Sequence, residues 1–104
     1  MADITVHSRS GYERQYSRLD ADDNKIDISG STIYFEVPAA HLRKAMIADV
    51  SDALGLLIQL TREEVETLPS RASEFRVVDE TGTIPVVEWK GTIVRTGVIG
   101  DANG

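Results

Sequence analysis

Ser31-Thr32-Ile33-Tyr34-Phe35-Glu36-Val37-Pro38 is the stretch that decides the fold. Ile33, Phe35 and Val37 sit at alternate positions, with Thr32, Tyr34 and Glu36 between them. A period of two puts the apolar side chains on one face of an extended chain, which is a strand half-buried against a core. Pro38 has no N–H to give a ladder and ends the strand.

Reading back from this strand, residues 19–31 are turn-like. Asp20, Asp22, Asp23, Asn24 and Asp27 bond nearby backbone and tolerate left-handed conformations. Residues 1–18 alternate weakly at Ile4 and Val6 and break at Ser8-Arg9-Ser10-Gly11. They are expected to form a first strand or an extended arm interrupted near Gly11. Arg9, Arg14 and Arg18 outnumber Asp3 and Glu13 there. The arm is therefore either an edge strand with solvated charges or a slightly basic segment that docks on an acidic surface.

Reading forward, residues 39–54 fit two descriptions, a strand or irregular hairpin and a short helix. Leu56-Leu57-Ile58-Gln59-Leu60 reads as a buried strand. Thr61 followed by Glu64 is a capping-box pattern, so a short helical turn is expected near 61–67, before Pro69. Residues 71–98 read as a hairpin turning at Asp79-Glu80-Thr81-Gly82, with Gly82 free for positive φ. Ile84, Val86, Val87 and Trp89 make the return strand, Gly91 a bend or bulge, and Thr92 to Val98 a final strand. Residues 99–104 are a polar tail. About seven short strands, with turn signals every eight to twelve residues, predict an all-β antiparallel sandwich in one domain, 1–104.

Composition narrows the chemistry. The 104 residues include no cysteine, which excludes disulfides, Cys-ligated zinc and a thiol nucleophile. Net charge is −6, which disfavours nucleic-acid binding through phosphates. No apolar run is long enough to span a bilayer and no signal-peptide core is visible, so no membrane role is expected.

Motifs for catalysis are missing. Asp20-x-Asp22-x-Asn24 matches the first three ligand positions of a calcium loop, but Lys25 replaces its glycine and Ser31 its bidentate glutamate. His7 and His41 have no second ligand at metal spacing, and no G-x-S-x-G elbow or phosphate-binding glycine loop occurs. Glu63, Glu64 and Glu66 crowd one turn and cannot face each other across a cleft. The expectation is no enzyme activity, no cofactor and no metal. Trp89 and the tyrosines pack in a core or sit at an interface.

Four pieces in order carry a resemblance. They are Ile26-Asp27-Ile28-Ser29-Gly30-Ser31-Thr32-Ile33-Tyr34-Phe35-Glu36-Val37, then Gly55 to Pro69 with its Leu60-Thr61-Arg62-Glu63-Glu64 core, then Phe75 to Gly82, then Gly91-Thr92-Ile93-Val94. Over about residues 20–98 the chain resembles the immunoglobulin-like β-sandwich domain of tailed-phage virion proteins, such as the N-terminal domain of upper baseplate proteins. The resemblance implies an immunoglobulin-like sandwich and a non-enzymatic structural role in the virion. Its partners would be major capsid or tail and neck proteins, and it would form a homo-oligomer within the particle. No coil-forming extension follows the motifs, so capsid decoration is expected ahead of a neck, tail or baseplate place. Candidate partner contacts are Tyr12, Arg14, Tyr16, Arg18, His41, Arg43, Lys44 and Trp89. The alternative function is a small carbohydrate- or protein-binding sandwich, which would need Trp89 and the tyrosines as an exposed platform.

Overall fold

The computed structural model describes residues 2–97. The polar tail and the end of the final strand at Val98 lie outside these residues. The chain folds as an all-β sandwich. Its strands are β1 (Ala2–His7), β2 (Tyr12–Tyr16), β3 (Arg18–Leu19), β4 (Lys25–Ile26), β5 (Ile33–Val37), β6 (Leu42–Ala45), β7 (Ile47–Ala48), β8 (Leu56–Leu60), β9 (Ser73–Asp79) and β10 (Val86–Thr96). One sheet has the order β1-β10-β9-β5-β6, a second β2-β8-β7, and β3 and β4 pair alone.

This order is immunoglobulin-like. β10, β9, β5 and β6 occupy the places of strands G, F, C and C′, and β2, β8 and β7 those of B, E and D. One pairing departs from the antiparallel expectation. β1 runs parallel to β10, from Ala2 opposite Gly91 to His7 opposite Thr96.

The core follows from the alternation. Ile33, Phe35 and Val37 of β5, Phe75 and Val77 of β9, and Ile4, Val6 and Ile93 face inward from the larger sheet. Leu56, Ile58 and Leu60 face them from β8. Phe35 and Phe75 stack with ring centroids 5.6 Å apart. One end is plugged by α1 (Arg62–Glu66), which supplies Val65, while Leu68 follows just after it. α1 starts with the expected capping box: Glu64 N–H donates to Thr61 Oγ1 at 3.2 Å, and Thr61 N–H to Glu64 Oε1 at 2.8 Å.

Several boundaries differ from the sequence reading. Residues 2–16 form two strands in different sheets, with the crossover at Ser8–Gly11. Residues 39–54 take the strand alternative. After a 3-10 turn at Pro38–Ala40, β6 pairs with β5, and Met46 N–H donates to Ile33 O before the chain crosses to β7. The turn-like 19–31 segment carries a two-residue ladder, β3–β4. The return strand is one 11-residue element, paired straight through Gly91, and its irregularity falls between Val87 and Trp89 instead. Ile84 precedes it. Gly82 does not adopt positive φ. Asp79 organises the turn: its Oδ1 accepts from Thr81 N–H at 2.9 Å and Thr81 Oγ1 at 2.6 Å.

Candidate partner-docking surface

Four of the eight expected contact residues meet at the seam between β2 and the first half of β10. Tyr16, at the end of β2, stacks on Trp89 with centroids 6.2 Å apart. Trp89 also meets Phe75 edge-on at 4.9 Å, and the Arg14 guanidinium covers it at 5.0 Å. Arg18 lies between Asp79, at 2.9 Å, and Glu88, which it contacts directly. The Tyr16 hydroxyl donates to Glu88 Oε1 at 3.4 Å.

These contacts set the protonation states. Burial, then the neighbouring Glu88 carboxylate, push the Tyr16 hydroxyl up to about 12. The Thr81 hydroxyl and N–H, helped by Arg18, hold the Asp79 carboxyl below its usual range. The hydrogen bond to Glu88 is the largest influence raising the Arg18 guanidinium. A shallow groove lined by Arg14, Gln15, Tyr16, Ser17, Glu88 and Trp89 opens beside the seam. Asp79 and Glu88 complete this cluster. Their part in it is not legible in the sequence, because β9 and β10 meet β3 only through tertiary folding.

The other expected residues lie apart. Arg43, on the outer face of β6, covers the Tyr34 ring at 3.8 Å, bonds Glu36 at 3.2 Å and contacts Glu80. Lys44 bonds Glu64 at 2.6 Å. Partial burial pushes the Glu64 carboxyl up, but Lys44 and the Thr61 N–H outweigh it and leave it low. His41 is exposed in a left-handed conformation (φ 52°) at the far end of the sandwich. Tyr12 packs there too, at the start of β2 opposite Leu60. The basic arm is therefore no free cationic strip: Arg14 lies on Trp89 and Arg18 in its ion pairs.

A different surface stands out. Among the described residues, Leu19, Ile26, Ile47, Val50, Leu54, Ile84, Val86 and Val87 are the exposed large aliphatics. All eight fall at one pole, where β2, β6 and β9 end and β5, β8 and β10 begin. Val50 is 100% exposed and Ile84 76%. Backbone and side-chain bonds tie the pole's loops together. Ile28 N–H donates to Leu54 O, Glu80 N–H to Thr32 O, and Lys25 pairs with Asp52 at 2.5 Å. A sequence signal for this surface exists in hindsight. Ile26, Val50 and Ile84 are aliphatics set singly in polar or Pro-flanked turns, where no periodicity assigns them to a core.

The acidic turn shows no ligand geometry. Asp20 Oδ1 accepts from Asp22 N–H at 2.8 Å and Asn24 N–H at 3.0 Å, which closes the turn on itself. Among the described residues no three His, Asp or Glu side chains are grouped to hold a metal. His7 Nδ1 lies 2.9 Å from Thr96 Oγ1, and no carboxylate among the described residues bonds the ring. Comparison with family models, with curated proteins and with solved structures returned no match.

Proposed function

We propose that this protein is a non-enzymatic structural subunit that works by docking on neighbours, and that its setting is a tailed-phage particle. The observation that carries the docking reading is the gathering at one pole of the eight exposed large aliphatics among the described residues. Apolar surface collected in one place and edged by polar residues marks a protein interface. Fully burying one aliphatic side chain is worth about 1.5–3 kcal/mol. Eight exposed ones can thus support a stable contact. An ordinary interface of about 800 Å² per partner would take roughly an eighth of the 6436 Å² surface.

The phage setting is supported by the four ordered sequence pieces and by the immunoglobulin-like strand order. Its partners would be capsid, neck or tail proteins, with several copies repeated around a symmetry axis. Capsid decoration is the place proposed first. The carbohydrate-binding alternative is disfavoured by one observation. Arg14, Tyr16 and Phe75 cover Trp89, so its ring offers no open platform.

Mass spectrometry of gradient-purified tailed particles from cells that express the chain tests the setting. The chain should be present at a fixed, many-copy ratio to the major capsid or tail protein. Particles that assemble without it would overturn the reading.

A further inference from the structure

We infer that the apolar pole receives a partner protein whose contact surface is apolar at its centre and basic at its rim. The inference rests on the docking reading above and adds the partner's chemistry. It comes from how charge is distributed. At the pole, nine carboxylates (Asp20, Asp22, Asp23, Asp27, Asp49, Asp52, Asp79, Glu80 and Glu88) face three cations, Arg18, Lys25 and Arg43. Over the other described residues, seven carboxylates meet eight cations. The negative excess of the described chain therefore lies around the apolar pole.

The three cations there are already engaged. Arg18 pairs with Asp79 and Glu88, Lys25 with Asp52, and Arg43 with Glu36 and Glu80. Asp20, Asp22, Asp23 and Asp27 have no ion-pair partner among the described residues. Ser29 holds the Asp27 carboxyl low through its hydroxyl and N–H, so it stays ionised. These acids alternate along the chain with the apolar contacts. Leu19 precedes Asp20, Ile26 precedes Asp27, and Val50 and Leu54 flank Asp52. Two copies meeting pole to pole would bring four unpaired carboxylates against four, in a region losing its water. A basic rim matches them, and the apolar centre then closes without like-charge contact. The acidic rim thus selects the partner and blocks self-docking.

The test uses the full chain and three synthetic amphipathic peptides of equal length, built from Leu/Lys, Leu/Glu and Ser/Lys. Titration by calorimetry should show binding of the Leu/Lys peptide alone. The double variant Val50→Ser, Ile84→Ser should weaken it at least about tenfold while circular dichroism stays unchanged. Sedimentation provides an independent arm. The wild type should not self-associate through the pole. The variant Asp20→Asn, Asp22→Asn, Asp23→Asn, Asp27→Asn should self-associate, and adding Val50→Ser and Ile84→Ser should reverse this. Equal binding of the Leu/Glu or Ser/Lys peptide, or a wild-type dimer that Val50→Ser and Ile84→Ser dissociates, would overturn the inference. A chain found in the particle with its pole free would overturn it as well, yet leave the particle setting standing. Peptide binding as expected, with the chain missing from particles, would do the reverse.

Discussion

Gly55 shows how tightly one position can be set. A Cβ there would meet the Tyr16 carbonyl oxygen at 2.9 Å and Asp52 Oδ2 at 3.2 Å. The carbonyl belongs to β2 and cannot swing away as a flexible side chain could. Gly55→Ala should therefore lower stability by about 1–3 kcal/mol, read as a lower denaturant midpoint with unchanged m-value. Phe75 is the other decisive residue, since it stacks on Phe35 and carries Trp89 on its edge. Phe75→Ala should cost about 3–5 kcal/mol, a large part of the stability of so small a domain. The inward set Ile33, Phe35, Val37, Phe75 and Val77 was legible from period two alone. The Gly82 turn was not, because the sequence cannot say whether a glycine's φ or an aspartate's side chain closes a turn. Asp79 does so here.

Elements separate by how local their causes are. The capping box of α1 needs only residues 61–64 and appears as the sequence predicts. Thr61→Ala should destabilise the fold by about 1 kcal/mol, measured by thermal or urea unfolding. Arg18 ties β3 to β9 and β10 through Asp79 and Glu88, and these three residues are far apart in sequence. That distance hid the cluster. Its pH response has a definite sign. The Asp79 carboxyl is held low in the folded chain, so its stabilisation is present above the ordinary value of 3.8 and is lost as pH falls through the lowered folded one. Tyr16 acts at the other extreme. Its hydroxyl is raised from 10.0 to about 12, so its contribution is present below 10.0 and fades as pH rises between those values. Unfolding free energy followed against pH should fall at both ends. Thr81→Val should flatten the acid limb, since it removes the hydroxyl that bonds Asp79. An acid limb identical in wild type and Thr81→Val would contradict this assignment. The 39–54 segment stayed ambiguous for a related reason. Leu42, Ala45 and Met46 suit either period, and pairing of Tyr34 with Ala45 and of Val37 with Leu42 selects the strand.

At the scale of the whole molecule, the sandwich class follows from strand spacing, while the docking surface comes from topology. Leu19 and Ile26, then Val50, then Ile84 lie in three separate turn segments of the sequence. Only the crossing of strands between sheets brings those turns to one pole. Local composition points to the basic arm as the contact surface. Folding engages that arm's cations, Arg14 on Trp89 and Arg18 with Asp79 and Glu88, and leaves aliphatics and carboxylates facing outward at the pole. The proposed function requires that this pole be buried against a neighbour in a tailed-phage particle. Cryo-electron microscopy of purified particles measures it most directly. The maps should show density for the sandwich with Val50, Ile84 and Val87 covered by an adjacent virion protein. Particles with no density for the chain would contradict it.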